Sequence, residues 1–195
     1  MNRAHACLCG SRYWGRAVRT TLVPWVLEAV PPVAHTIEVG AAAGATTAVL
    51  LERTETLTCV EIDPVRAEAL AARFGDRVRV VCDDAGALPF ASDTFDLAVA
   101  IAMLHHVPSA AAQDRVLAEM TRVVRPGGVL ACYEITANPL VRALHWFDTM
   151  TIIEPDDCAT RLTAACLVDV SIDVRTSGYR FRARKPDALR TESSH

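Results

Sequence analysis

Short apolar runs alternate with segments of helical periodicity along residues 35–135, and this alternation constrains the fold more than any other feature of the chain. The predicted strands are residues 35–39, 56–62, 77–82, 95–101 and 129–135. The predicted helices between them are residues 45–53, 63–74 and 110–124. Strands that are apolar on both faces and alternate with helices form mostly parallel sheets with helices on both sides.

The end of the chain departs from this alternation. After a predicted helix over residues 156–166, two strand-like segments, 168–175 and 179–184, are separated only by the turn 176–178. Two strands joined by a short, glycine-containing turn form an antiparallel hairpin. The sequence therefore predicts an α/β fold with a seven-stranded, mostly parallel sheet, helices on both faces and a C-terminal antiparallel hairpin.

One domain over residues 35–186 accounts for all of these elements. Before it, residues 1–34 are predicted to form a helical segment that Pro24 divides into two helices, because proline removes a helical hydrogen bond. We expect this segment to pack on the sheet through Trp25 and Val26 and to serve as a lid over a ligand at the strand ends through Tyr13 and Trp14. The polar residues 187–195 are expected to fray.

The composition excludes several classes of protein. The chain has 195 residues, of which 51% are hydrophobic and 22% charged, and this suits a packed core rather than disorder. A net charge of −3 lacks the basic footprint of a sequence-independent nucleic-acid binder. No apolar stretch approaches the roughly 20 residues of a membrane-spanning helix, and no signal peptide is expected. We therefore expect a small-molecule substrate, no nucleic-acid or membrane partner, and a monomer or homodimer.

The cysteines indicate a reducing compartment. There are seven, an odd number at irregular spacing, which is a poor disulfide framework, so the cytoplasm is the simplest location. Cys59, Cys82 and Cys132 lie in predicted strands and are expected to be buried as small apolar residues. No metal site is expected, because the close pair Cys7 and Cys9 has no second pair at zinc spacing.

The ligand site is predicted at the carboxyl ends of the parallel strands, where open α/β sheets bind their ligands. Residues 40–44, Gly-Ala-Ala-Ala-Gly, join the first strand to a helix, so that backbone can approach a ligand closely. The same run is also compatible with a tight turn that binds nothing. It is not the dinucleotide fingerprint, because Ala42 and Ala45 occupy the second and third glycine positions.

Polar side chains follow the next three strands. Glu61 ends the second strand about 20 residues after Gly40, the spacing at which a carboxylate accepts ribose hydroxyls. Asp84 follows the third strand, where it either accepts from an adenine amino group or simply forms a turn. His105 and His106 follow the fourth strand, and a histidine there is a candidate general base or a packing residue.

In this order the motifs resemble the class I S-adenosylmethionine-dependent methyltransferases, with a Rossmann-like fold, and within them the small-molecule branch called type 11. The motifs are Ile-Glu-Val-Gly from 37, Val-Glu-Ile-Asp from 60, Asp-Ala-Gly-Ala-Leu-Pro-Phe from 84, Phe-Asp-Leu from 95, Leu-His-His-Val from 104 and Arg-Val-Val-Arg-Pro-Gly-Gly from 122. The resemblance covers about residues 35–135. It implies S-adenosylmethionine as the cofactor and methyl transfer to a small molecule as the activity.

The resemblance also implies roles for individual residues. The methionine part of the cofactor would be wrapped by the loop and lined by the end of the fourth strand: Gly40, Ala41, Ala42, Gly44, Ala100 and Ile101. Glu38 would orient its ammonium group, and Glu61 would hold the ribose hydroxyls. Adenine would pack on Ile62 and be read by Asp84 and the amide of Ala85. Ala42 departs from the family, which commonly has glycine there, and its methyl group is expected to weaken cofactor binding slightly.

His105 is our candidate for the base that deprotonates the acceptor, with the hydroxyl of Tyr13 as its partner. Specificity is expected from the N-terminal segment and from residues 136–155, where Arg142 is a candidate to meet a carboxylate or phosphate. The stretch 136–155 is equally compatible with an ordinary amphipathic helix. We favour oxygen over carbon or nitrogen as the methylated atom.

The main alternative function is that of a non-catalytic, cofactor-binding or scaffold relative. A nicotinamide-dependent oxidoreductase and an RNA methyltransferase fit the glycine spacing and the charge less well.

Overall fold

A computed structural model describes residues 10–137 and 149–188, and in these residues it has one seven-stranded sheet. The strands are β1 (Val33–Val39), β2 (Thr54–Glu61), β3 (Arg79–Cys82), β4 (Phe95–Ile101), β5 (Val124–Ile135), β6 (Val168–Arg175) and β7 (Gly178–Arg184). Their order across the sheet is β3-β2-β1-β4-β5-β7-β6. β7 runs antiparallel to both of its neighbours, and the other pairings are parallel. The predicted fold class is confirmed.

Helices cover both faces of this sheet. They are α1 (Arg12–Ala17), α2 (Val23–Val26), α3 (Thr47–Leu50), α4 (Pro64–Phe74), α5 (Ala110–Val123) and α6 (Pro155–Ala164). Two separate clusters of buried apolar side chains result, one holding the inner faces of α5 and α6 and the other those of α2 to α4, with Trp14 of α1 packed against the second. None of the helices in the described ranges is long and apolar enough to span a bilayer.

The order of the strands determines where a ligand can bind. β1 pairs with β2 on one side and with β4 on the other. Strands β1 to β3 therefore follow one another in one direction across the sheet, and the chain then crosses back so that β4 lies on the other side of β1. The loops that leave these two strands diverge to opposite faces and open a crevice at their carboxyl ends. The residues predicted to bind the cofactor lie at this edge.

Helix α4 begins and ends where its local sequence requires. The Asp63 side chain accepts hydrogen bonds from the amides of Val65 and Arg66, and Pro64 occupies the first helical turn. Gly75 ends the helix with a φ of 56°, a left-handed conformation that glycine adopts without steric cost. This places the end of β2 and the start of α4 at a defined position beside the crevice.

Three features differ from what the sequence predicts. The helix predicted over residues 45–53 is reduced to α3, because the preceding loop takes left-handed conformations at Gly40, Ala42 and Gly44 before a helix can start. The Arg-Pro-Gly-Gly run is expected to precede the fifth strand, but it lies inside β5, where Gly127 and Gly128 exchange backbone hydrogen bonds with Lys185. Cys82 is expected to be buried but is exposed, because it ends the edge strand β3.

The N-terminal segment packs on the sheet as two short helices joined by a π-helical turn, Val18–Leu22. The amide of Val23 donates to the carbonyl of Val18, and the joint therefore lies just ahead of Pro24 rather than at it. The indole N–H of Trp25 donates to Asp173 of β6 at 2.9 Å, which ties this segment to the C-terminal hairpin. The outermost parts of the predicted lid and tail, residues 1–9 and 189–195, lie outside the described residues.

Candidate active site

A cavity of about 610 Å³ lies at the carboxyl ends of the central strands, a size usual for small-molecule sites. Its walls come from α1, from the loops that follow β1 to β4 and from the end of β5. Among the lining residues are Trp14, Gly40, Ala41, Ala42, Glu61, Ile62, Asp84, Ala85, Ile101, Met103, His105 and Ile135. The structure thus brings most of the residues predicted from the sequence to one cavity.

Close packing explains why the loop after β1 has glycine at positions 40 and 44. A Cβ on Gly40 would overlap the side chain of Met103, so this residue must lack a side chain for the loops after β1 and β4 to approach. A Cβ on Gly44 would lie 2.6 Å from the ring of Phe74, and Gly44 is therefore where α4 packs against the loop. Gly44 does not line the cavity in the part of the chain that the structure describes, and its contribution to the site is through this packing.

Ala42 lies between these glycines with a φ of 46°. A left-handed conformation costs an alanine about 1–2 kcal/mol, because Cβ approaches the following carbonyl oxygen. The Ala42 amide donates to Oε2 of Glu61 at 2.8 Å, which holds the loop in this conformation. The residue at which the sequence departs from the resembled family is therefore in a strained conformation and also lines the cavity.

We predict that Ala42→Gly tightens cofactor binding by about two- to tenfold, since it removes the methyl group at the position where the resembled family commonly has glycine. The backbone strain is present with or without ligand, so its relief adds to the stability of the fold rather than to the affinity. Calorimetric titration with S-adenosylhomocysteine measures the affinity. Ala43→Gly is the matched control, because Ala43 lines the same cavity without a left-handed backbone. Unchanged or weaker binding by the Ala42 variant contradicts the prediction.

Glu61 is the acid that the sequence predicts to hold the ribose of the cofactor. Its side chain is buried, yet it borders the cavity. Oε2 accepts the Ala42 amide and Oε1 accepts the Asp63 amide, at 2.8 and 3.1 Å. Each carboxylate oxygen keeps lone pairs for further donors, so the pair of hydroxyls of a ribose fits this group.

The loop after β3 forms the adjoining wall. Oδ1 of Asp84 accepts the amide of Gly86 at 2.8 Å, so the aspartate does form the turn that its residue type favours. It also lines the cavity, as does Ala85. Ile62 borders the cavity with 67% of its surface exposed, an apolar platform that a flat ring system could cover.

His105 is held by an acid that the sequence analysis did not single out. Its Nδ1 lies 2.7 Å from Oε2 of Glu134, and both side chains are 2% exposed. Oε1 of Glu134 accepts the backbone amides of Met103 and Leu104 at 2.9 and 2.6 Å. One carboxylate therefore positions both the imidazole and the backbone that carries it.

The signal for Glu134 was present in the sequence. It is an acid near the end of an otherwise apolar strand, β5, and acids are rarely buried without a partner. Which partner it takes depends on the pairing of β5 with β4, since Tyr133 lies opposite Ile101 at the end where the turn Leu104–His106 begins. That register follows from the assembled sheet, not from any local pattern.

Glu38 faces the interior rather than the cavity. Its Oε2 accepts the hydroxyl of Thr47 at 2.6 Å and the thiol of Cys59 at 3.2 Å, and the side chain is 2% exposed. Burial raises the pKa of the Glu38 carboxyl from its ordinary 4.5 to about 7. The ammonium-orienting role stays a prediction, and no direct contact with the cavity within the described ranges supports it.

We predict that Glu38 makes the fold less stable as the pH rises. Because its pKa is higher in the folded state, the folded protein binds more protons between about pH 4.5 and 7, and the free energy of unfolding falls through that window. Glu38→Gln, which cannot titrate, should flatten this dependence by about 3 kcal/mol. Urea unfolding at pH 5 and pH 8 measures it, with the exposed Glu68→Gln as control. Equal slopes in wild type and Glu38→Gln contradict it.

Tyr13 and Ala100 are placed away from the cavity wall. Tyr13 is 71% exposed, and its hydroxyl accepts a hydrogen bond from Arg12, whereas the next residue, Trp14, lines the cavity. Ala100 is fully buried in the apolar core under β4, and its neighbour Ile101 reaches the cavity. The rotation of α1 about its axis places Trp14 rather than Tyr13 at the cavity. The alternation of side chains along β4 buries Ala100 in the core and brings Ile101 to the cavity.

The predicted specificity residue Arg142 lies outside the described residues.

Comparison with known proteins agrees with this geometry. Residues 37–132 match the family model described as a methyltransferase domain, type 11. The sterol 4-C-methyltransferase of Caenorhabditis elegans is 32% identical over 106 residues, which cover 52% of this chain and 31% of that protein. The demethylmenaquinone methyltransferase of Roseiflexus castenholzii is 33% identical over 136 residues, covering 67% of this chain and 55% of that protein.

A solved structure shares the fold. The N-methyltransferase NodS of Bradyrhizobium japonicum, in complex with S-adenosylhomocysteine, superposes with a TM-score of 0.69 at 22% identity, over 88% of this chain and 87% of that one. Fold and site together define a class I S-adenosylmethionine-dependent methyltransferase domain. Within that class, residues 37–132 match the type 11 family, and the chain spans about a third to a half of the two curated relatives named above.

Proposed function

We propose that this protein transfers a methyl group from S-adenosylmethionine to a small, largely apolar acceptor whose nucleophile is deprotonated by His105, an oxygen being favoured. The observation that carries the proposal is the buried His105–Glu134 pair, of which His105 lines the same cavity as Glu61 and the loop after β1. A cofactor-binding end and a base then share one enclosed space. Nothing in a scaffold function requires a buried histidine–carboxylate pair at that place.

The residues at the cofactor end suit S-adenosylmethionine. Four acids, Glu61, Asp63, Asp83 and Asp84, border that part of the cavity, and their negative charge favours a cationic sulfonium and hydroxyl donors. When bound, the cofactor supplies an activated methyl group for in-line displacement. Transfer then depends mainly on holding the acceptor in line within a water-poor site.

Glu134 determines the role of the His105 ring. A carboxylate has no proton to give, so Nδ1 of His105 carries the hydrogen and donates it to Oε2 of Glu134. The lone pair of the ring is then on Nε2, which is the proton-accepting atom for an acceptor hydroxyl. The adjacent carboxylate also stabilises the imidazolium that forms when that proton is taken.

The acceptor end of the cavity is mostly apolar. The residues that we assign to it are Trp14, Met103, Val107 and Ile135, with Arg115 as a charged group, and all of them line the cavity. Such a surface binds an aromatic or aliphatic body and leaves orientation to a few polar groups. A phenol, a quinol or a β-dicarbonyl compound has this combination of an apolar body and an acidic proton.

Carbon is the second candidate for the methylated atom. Several of the proteins that match are named for C-methylation, among them the sterol 4-C-methyltransferase above and the UbiE C-methyltransferase of Paracoccus denitrificans, which is 40% identical over 84 residues, covering 42% of this chain and 31% of that protein. An enolisable carbon also needs a base, so the His105–Glu134 pair serves either reaction. The choice between oxygen and carbon depends on the acceptor.

The test is methyl transfer from a ¹³C-methyl-labelled cofactor to a panel that holds a phenol, a naphthoquinol and a β-diketone. Carbon NMR of the products separates O-methyl from C-methyl carbons by chemical shift. We expect transfer by the wild type to at least one class, with oxygen products predominating. Tight cofactor binding without transfer to any of them supports the scaffold hypothesis instead.

A further inference from the structure

Gln113 has an arrangement that the reaction above does not yet use. It lies in α5, away from the cavity wall, and its side chain is fully buried. Its amide nitrogen donates to the carbonyl of Leu104 at 2.9 Å and to the carbonyl of Thr151 at 2.7 Å. Both N–H groups of one side chain are therefore given to two different segments of backbone.

Arg161 of α6 determines the orientation of this amide. Its guanidinium donates to Oε1 of Gln113 at 3.0 Å, and it also reaches Oδ1 of Asp114 at 2.6 Å and the carbonyl of Ala110 at 2.9 Å. Since arginine can only donate, the amide oxygen must face Arg161 and the amide nitrogen must face the two carbonyls. The bridge cannot be made the other way round.

The two bridged segments are the turn that carries His105 and the segment 149–153. The amide of Thr151 donates directly to the carbonyl of His105 at 2.8 Å, so three hydrogen bonds join the segments. Thr149 lines the cavity, and Ile153 is anchored by the hydroxyl of Tyr179 at 2.7 Å. Thr149 thus forms part of the cavity wall, and its segment is tied to the His105 turn two residues further on, at Thr151.

We propose that Gln113 is a positioning residue for the acceptor: it fixes the wall that contains Thr149 against the His105 turn, and so determines which acceptors place their nucleophile in line. This inference rests on the proposed function for its effect on acceptors, but the bridge itself can be measured without any acceptor. Cofactor binding should not depend on Gln113, since its hydrogen bonds go to Leu104, Thr151 and Arg161, away from the cofactor end.

The experiment compares Gln113→Met with Thr121→Val. Met keeps the volume of the side chain but leaves the carbonyls of Leu104 and Thr151 without this donor. Thr121 is a buried polar residue of the same helix whose hydroxyl bonds the carbonyl of Leu117 one turn earlier, so its loss imitates a purely structural defect. Arg161→Lys is a milder variant that keeps Gln113 but loses the guanidinium group that orients its amide.

Hydrogen exchange in the segment 149–153, measured by mass spectrometry, should accelerate at least about tenfold in Gln113→Met relative to Thr121→Val, because a buried bridge is lost. The KM for the acceptor that the wild type uses best should rise about tenfold or more, and the preference among the panel should change. The Kd for S-adenosylhomocysteine should stay within about twofold of the wild type. Arg161→Lys should also accelerate exchange and raise the KM, but by smaller factors than Gln113→Met.

Two outcomes separate the inference from the function beneath it. Faster exchange at 149–153 with no transfer by the wild type to any acceptor overturns the proposed function and leaves the bridge established. Transfer by the wild type, with exchange and KM in Gln113→Met equal to those in Thr121→Val, overturns the role of Gln113. If Gln113→Met does not fold, the same comparison between Arg161→Lys and Thr121→Val decides.

Discussion

His105→Ala should lower kcat about 10²- to 10⁴-fold for an acceptor that arrives protonated, because proton removal then has no positioned base. For an acceptor already ionised at the assay pH, such as a nitrophenol, the same variant should lose little. The comparison isolates proton transfer from binding, since both acceptors occupy the same cavity. Initial rates with labelled cofactor at saturating acceptor measure it.

Glu134→Gln is the sharper form of this experiment. The amide oxygen of glutamine can still accept from the amides of Met103 and Leu104, so the turn is expected to keep its shape. The amide nitrogen would then face Nδ1 of His105 and donate to it. This moves the ring hydrogen to Nε2 and removes the lone pair that takes the proton, with an expected loss of about 10²- to 10⁴-fold in kcat.

His35→Ala is the control for these two variants, because His35 lies at the exposed start of β1, where its ring bonds the hydroxyl of Thr56 far from the cavity. It should retain the wild-type rate. Full turnover of a protonated acceptor by His105→Ala across the pH range would overturn the assignment of the base. Equal losses for protonated and ionised acceptors would instead assign His105 to acceptor binding.

Glu61→Ala should weaken the binding of S-adenosylmethionine and S-adenosylhomocysteine at least about 100-fold, the loss expected when two hydrogen bonds to a carboxylate disappear. Part of the effect is indirect, because the amides of Ala42 and Asp63 lose their acceptor and the loop after β1 loses its anchor. Calorimetric titration with each ligand measures the affinity, and NAD serves as a ligand that should not bind.

Glu55→Ala removes an exposed carboxylate from the opposite end of the same strand and should leave the affinity unchanged. Thermal unfolding of both variants without ligand shows whether the Glu61 variant remains folded. Glu61→Ala that is folded and binds as tightly as the wild type would place the ribose hydroxyls elsewhere in the cavity.

The sequence alone determined the kind of fold and the edge of the sheet where the cavity lies. Alternating apolar runs and helical periods depend on interactions within a few residues, as do the cap at Asp63 and the left-handed end at Gly75. The position of Glu61 at the end of β2 follows from the same local reasoning. Since parallel strands bring their carboxyl ends to one edge, the strand pattern is enough to indicate which loops carry the site residues.

Only the tertiary structure decided which side chains meet. Glu134 reaches His105 because β5 pairs with β4 in one register, and Glu38 turns inward because it pairs with Cys59 across β1 and β2. The rotation of α1 places Trp14 rather than Tyr13 at the cavity, and the packing of α6 on α5 directs Gln113 toward two backbone segments. These contacts join residues that are distant in the chain, so no local period contains them, and they are selected by the packing of the whole core.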